Sequence, residues 1–112
     1  MAVTGWDHGR TKTLTIAQSA QETDVLDMGS IGTRAAYRIG VLAPEVLTGV
    51  ITIEVSDAAT GPWRTLQSDN VDVALSADKA TVLSPVPFPY IRFVSSLAEA
   101  AARSIVVIAH RN

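Results

Sequence analysis

Residues Gly49–Trp63 (Gly-Val-Ile-Thr-Ile-Glu-Val-Ser-Asp-Ala-Ala-Thr-Gly-Pro-Trp) leave few folds open. Ile51, Ile53 and Val55 alternate with Val50, Thr52, Glu54 and Ser56, and an extended chain sends the two sets to opposite faces. The pattern predicts a half-buried β-strand with its Ile/Ile/Val face on a core. Asp57–Pro62 is a polar turn closed by Gly-Pro, and Trp63 opens the returning strand of an antiparallel hairpin.

The same period of two recurs along the chain. It predicts strands over Lys12–Ala17, Val25–Met28, Ala35–Ala43, Trp63–Gln67, Val71–Leu75, Ala80–Ser84 and Tyr90–Ser96. Gly29-Ser-Ile-Gly32, Pro44-Glu45, Ser68-Asp-Asn70 and Ser76–Lys79 punctuate them. Tyr37, Ile39 and Val41 share an inward face, as do Ile91 and Phe93, while Tyr90, Arg92 and Val94 take the opposite face of their strand. Pro85, Pro87 and Pro89 cannot donate to a ladder, so they mark an edge or a crossover. Ile105–Ala109 is apolar on both sides and reads as a central strand covered on both faces. Leu97–Arg103 is the one helix-prone stretch, with Ser96 and Glu99 spaced as a capping box; it predicts a short helical connector.

About eight strands without a βαβ rhythm make the chain all-β, an antiparallel two-sheet sandwich or a small barrel. At 112 residues it is a single domain, able to bury about two-thirds of its unfolded surface. The expected division is an N-terminal arm, 1–11, followed by the sandwich, 12–112. Within the arm, Trp6 is placed to pack on the domain or on a neighbouring subunit.

Composition narrows the function. Nine basic residues stand against eleven acidic ones and never form a run, so nucleic acid has no electrostatic footprint to meet. Only 18% of residues are charged and 47% are hydrophobic, a balance that favours association. No cysteine is present, which excludes disulfides and thiolate metal sites. The first ten residues lack the profile of a signal peptide, and the longest apolar run is far short of a membrane span. Residence in a cytoplasm, or release from one by lysis, is the expectation, with no membrane partner.

Catalytic and metal chemistry find little support. His8 and His110 lie at opposite ends of the chain, and Asp69-Asn-Val-Asp72 supplies oxygens but no calcium-loop glycine. Asp and Asn are expected in turns for backbone bonding alone. Ser76-Ala-Asp-Lys79 and Ser68-Asp-Asn70 mimic two β-lactamase signatures, but in reversed order and in turns between short strands. The many Ser and Thr have no histidine inside the domain to serve as base. Glu54 reads as a solvent-facing or cross-strand charge rather than half of a glycosidase pair. No enzyme and no cofactor are expected. Sugar binding would need exposed aromatics. Tyr37, Trp63 and Phe93 fall where core is the default, which leaves Trp6 and Tyr90.

Taken together, the Gly49–Ser56 strand, the Asp57–Trp63 loop, Pro87-Phe-Pro-Tyr-Ile-Arg-Phe-Val-Ser-Ser96 and the final apolar strand resemble small virion proteins of tailed bacteriophages. The layout over 12–111 is similar to that of the jelly-roll cement, or decoration, proteins. The resemblance implies a jelly-roll sandwich that assembles as a dimer or trimer on the capsid surface. Such a protein bridges subunits of the major capsid protein and performs no catalysis. A tail-associated module that binds a receptor or carbohydrate is the alternative. The residues expected at a partner contact are Trp6, Asp57, Thr60, Pro62, Tyr90 and Arg92.

Overall fold

A computed structural model of the chain describes residues 10–28, 37–83 and 88–111. Among these residues the structure is all-β. In chain order the strands are β1 (Arg10–Ile16), β2 (Leu26–Asp27), β3 (Tyr37–Leu42), β4 (Ile51–Ser56), β5 (Arg64–Thr65) and β6 (Gln67–Ser68). They continue with β7 (Val71–Asp72), β8 (Ala74–Leu75), β9 (Ala80–Leu83), β10 (Tyr90–Ser95) and β11 (Arg103–Arg111). One sheet has the order β1-β11-β3-β9 and the other the order β2-β10-β4-β5, with β8 also pairing to β4. Every pairing is antiparallel.

Alternation drives the two sheets together. Leu14, Ile16, Ile39, Val41, Ile105, Val107 and Ala109 from the first sheet are buried with Ile51, Ile53, Val55, Ile91 and Phe93 from the second, in one core. Each such large side chain contributes roughly 1.5–3 kcal/mol by leaving water. The result is a sandwich-like arrangement. β4 and β10 pair over their whole length, Ile51 opposite Ser95 and Ser56 opposite Tyr90.

Several expectations are corrected. β1 begins at Arg10, opposite Ala109, two residues ahead of the expected start. Val71–Leu75 is not one strand. Asp69 and Asn70, with φ of 54° and 66°, form a tight turn that folds β7 back onto β6, and β8 then crosses to β4. Val71 is consequently 67% exposed. β11 is central, between β1 and β3, but among the described residues only its inner face is fully buried; Val106 and Ile108 on the outer face are half-buried. β-branched residues suit the open face of a strand as well as its core face.

The expected helical connector is also absent: no helix forms over Leu97–Arg103. A helix of that length gains little by itself. Glu99, instead of reaching back to cap Ser96, turns inward, and Ser96 Oγ accepts the Val50 N–H at 2.9 Å. Pro85 and Pro87 lie outside the described residues, as does the Tyr37 side chain. The Pro89 carbonyl accepts the Met28 N–H at 2.8 Å.

Candidate partner-binding surface

The sandwich has two unlike ends. At one, β1, β4, β10 and β11 meet around Glu99, which is 1% exposed. Its Oε1 accepts from Thr48 N and Arg103 Nε, and its Oε2 from Gly49 N, each at 2.9 Å. Ser95 Oγ adds a fourth bond to Oε2 at 2.7 Å. Glu99 also ties the chain through its backbone, donating to Ala20 O at 2.9 Å and accepting from Ser19 N at 2.8 Å. Burial pushes the carboxyl pKa up, but the bonds from Thr48, Ser95, Arg103 and Gly49 outweigh it and bring the pKa down to about 2. Gly49 is required by space: a Cβ there would collide with Ser95 Oγ and stand 2.8 Å from Leu97 N. With all of these donors already engaged, the carboxylate acts as an anchor.

The opposite end is open. β4 leaves the sheet at Ser56, whose Oγ accepts Ala58 N at 3.1 Å, and the chain turns through Asp57–Pro62 before returning as β5. Gly61 has φ of +89°, in the left-handed region, and its peptide to Pro62 is cis. A Cβ at Gly61 would lie 2.8 Å from Trp63 Cδ1, so only glycine lets the loop fold against the indole.

Trp63 is not a core residue. It lies half-buried on the outer face of the second sheet, with the Arg92 guanidinium carbon 4.5 Å from its ring centroid. Arg92 Nη2 meets Glu54 Oε1 at 2.7 Å, and Nη1 meets Glu22 Oε2 at 3.5 Å. Both Glu54 and Arg92 are about one-fifth exposed in their side chains, and the register pairs them across β4 and β10. Such a pair contributes about 1 kcal/mol or less, and the cation–π contact adds a similar amount. The network holds Arg92 and Trp63 in a fixed pose without closing the surface.

Of the residues expected at a contact, Asp57, Thr60 and Pro62 are exposed in this loop. Tyr90, half-buried, sits opposite Ser56 at the loop's root, and Arg92 is two residues further along β10. Trp6 lies outside the described residues. Sequence reasoning assigned Trp63 to the core and did not place Glu22, Arg64 or Phe88 at a contact. Register could have found Trp63: Thr65 opposes the outward-facing Glu54, and Trp63 shares the parity of Thr65.

Beside the loop runs a cleft of about 440 Å³, lined by Ser56, Asp57, Arg64, Thr65, Gln67 and Phe88 among others. Phe88 is 37% exposed. Gln67 Nε2 donates to Asp72 Oδ1 at 2.8 Å, a cross-strand bond within the β6–β7 hairpin, which through Gln67 supplies part of the cleft wall. Among the described residues no three His, Asp or Glu side chains converge as metal ligands, and no helix is long and apolar enough to cross a membrane. No protein-family model matches the chain, and no curated protein matches it.

Proposed function

We propose that this chain is a structural virion protein, a jelly-roll cement or decoration protein that binds and stabilises a phage capsid by bridging major capsid subunits. The reading is non-catalytic, needs no cofactor, involves neither nucleic acid nor membrane, and places a homo-oligomer on the capsid surface after synthesis in the host cytoplasm. Strand order is the observation that supports it most. If β5 and β8, which share one edge of β4, count as one position, each sheet has four positions: β1-β11-β3-β9 and β2-β10-β4-β5/β8. Neighbours in each sheet come from distant parts of the chain, as in the two Greek keys of a jelly roll, an architecture used by capsid proteins. The open end then supplies the contact: Asp57, Thr60 and Pro62 in the loop, with Tyr90 and Arg92 beside it. Trp6 would anchor the arm on a neighbour.

The experiment is mass spectrometry of virions purified from cells that make the chain, with cosedimentation of the purified protein on heads that lack it. Stoichiometric presence and saturable binding to heads are expected. A chain lost on purification, with no binding to heads, would refute the reading. Cutting after Gly9 leaves β1 whole, so loss of head binding with an unchanged thermal transition is expected of that truncation; an arm dispensable for assembly would remove Trp6 from the contact.

The cleft favours one second reading, a tail-associated carbohydrate- or receptor-binding module. Arg64, Asp57 and Gln67 are planar hydrogen-bonding groups beside an exposed Phe88 ring, the combination that grips sugars. Binding on a glycan array, abolished by Phe88→Ala, together with density on the tail, would favour it over the capsid role.

A further inference from the structure

Register places Arg64 opposite Val55, so the two side chains share one face of the second sheet. Val55 is buried in the core, and that face is therefore the inner one. An arginine thus stands on the core side of the edge strand β5, in the wall of the cleft of about 440 Å³. Its charge is unanswered. Among the described residues Arg92 meets Glu54 and Glu22, and Arg103 meets Glu99, whereas Arg64 has neither an ion pair nor a hydrogen bond. Asp57 lines the same cleft without bridging to it. Covering the rim of a core needs only the arginine stem, so the donors of the head are left over.

Other groups in the cleft also keep unspent capacity. Ser56 is 5% exposed; its Oγ accepts Ala58 N, and its own proton has no acceptor among the described residues. Gln67 spends Nε2 on Asp72 and keeps Oε1 free.

We propose that this cleft binds a carboxylate-bearing sugar, with Arg64 taking the carboxylate. A guanidinium presents parallel N–H groups that match a carboxylate bidentately. The apolar face of the sugar ring packs on Phe88, which is 37% exposed. Its hydroxyls donate to Asp57 and Gln67 Oε1 and accept from Ser56. The volume lies at the lower end of ordinary ligand sites, roughly 300–1,000 Å³, and suits a short glycan. A neutral sugar would use Asp57 and Gln67 but leave the guanidinium without a counter-charge, so the acid is preferred. The inference rests on the carbohydrate reading of the cleft and names the class of sugar it takes.

A single ring of about a dozen heavy atoms binds at roughly 1 mM at ordinary ligand efficiency. Loss of a bidentate, charge-assisted pair weakens that about tenfold.

Amide NMR titration of the full chain tests the proposal at constant ionic strength. The acids are glucuronate, galacturonate and N-acetylneuraminate; glucose and galactose, which differ from the two uronates only at C6, are the neutral counterparts. At least one acid should bind at roughly 1 mM, with shifts centred on residues 55–57, 64–67 and 88, and the neutral sugars at least tenfold more weakly. Arg64→Gln, at an exposed and unpaired position, should keep the wild-type thermal transition and bring the acid down to the affinity of the neutral sugars. Arg64→Lys should retain part of the preference. Neutral sugars that bind as tightly as the acids would overturn this inference and leave the carbohydrate reading standing. An acid preference that survives Arg64→Gln, or acetate binding as tightly as the sugar acids, would overturn it as well. No shift with any of these sugars up to about 50 mM would overturn both.

Discussion

The two ends of the sandwich spend their polar groups in opposite ways. Around Glu99 four donors converge on one carboxylate, so the end is closed and the loops at 48–50 and 95–103 are pinned to each other. At the other end, Asp57, Thr60 and Pro62 face solvent, and the nearest charged network leaves Arg92 and Trp63 at the surface. The closed end serves the integrity of the fold, and the open end is the one proposed to meet a partner. Substitutions at the closed end should cost stability, and those at the open end should cost binding.

The largest expected effect is Glu99→Ala. It strands Arg103, Ser95 Oγ and the Thr48 and Gly49 amides, so it should cost about 3–5 kcal/mol in denaturant unfolding, as loss of one partner in a buried ion pair does. Acid should reproduce much of that loss. The folded pKa of Glu99, about 2, lies below the ordinary 4.5, so its contribution is complete above pH 4.5 and disappears as pH falls towards 2. A shift of that size corresponds to about 3 kcal/mol. Unfolding free energies measured at pH 6 and pH 2.5 should show the drop in wild type, and Glu99→Gln should lack this component.

Gly61→Ala follows, at roughly 1–2 kcal/mol, because alanine resists the left-handed backbone and its methyl meets the Trp63 ring. Calorimetry reads the stability cost, and indole fluorescence reads the displaced ring. Arg92→Ala should have the smallest effect on the fold, about 1 kcal/mol or less by thermal unfolding. Its binding to heads should nevertheless fall at least tenfold. Were Arg92→Ala to unfold the protein, or Glu99→Ala to leave it stable, the contrast between the ends would fail.

The strands that build the core were legible because period two is a local signal. Ile51/Ile53/Val55 and Ile91/Phe93 announce their inward face without reference to the rest of the chain. Glu99 was not legible for the opposite reason. Its neighbours in sequence suggest a helix cap, whereas Thr48 and Gly49, its partners, are 51 and 50 residues away. Tertiary demand on one carboxylate outweighed a weak local propensity. The same distinction separates the open-end residues: loop chemistry pointed to Asp57, Thr60 and Pro62, but Trp63 needed the register of a hairpin before its outward parity could be read. Val71–Leu75 alternates well enough for one strand, and the tight turn at Asp69-Asn70 divides its pairing between two partners.

Electron cryomicroscopy of the purified virion tests the central claim most directly. The account predicts regular density on the outer head lattice, with the Asp57–Pro62 loop, Tyr90 and Arg92 turned to the major capsid protein and the Glu99 end turned away. Density confined to the tail, or a sandwich docked on the lattice by its Glu99 end, would contradict it.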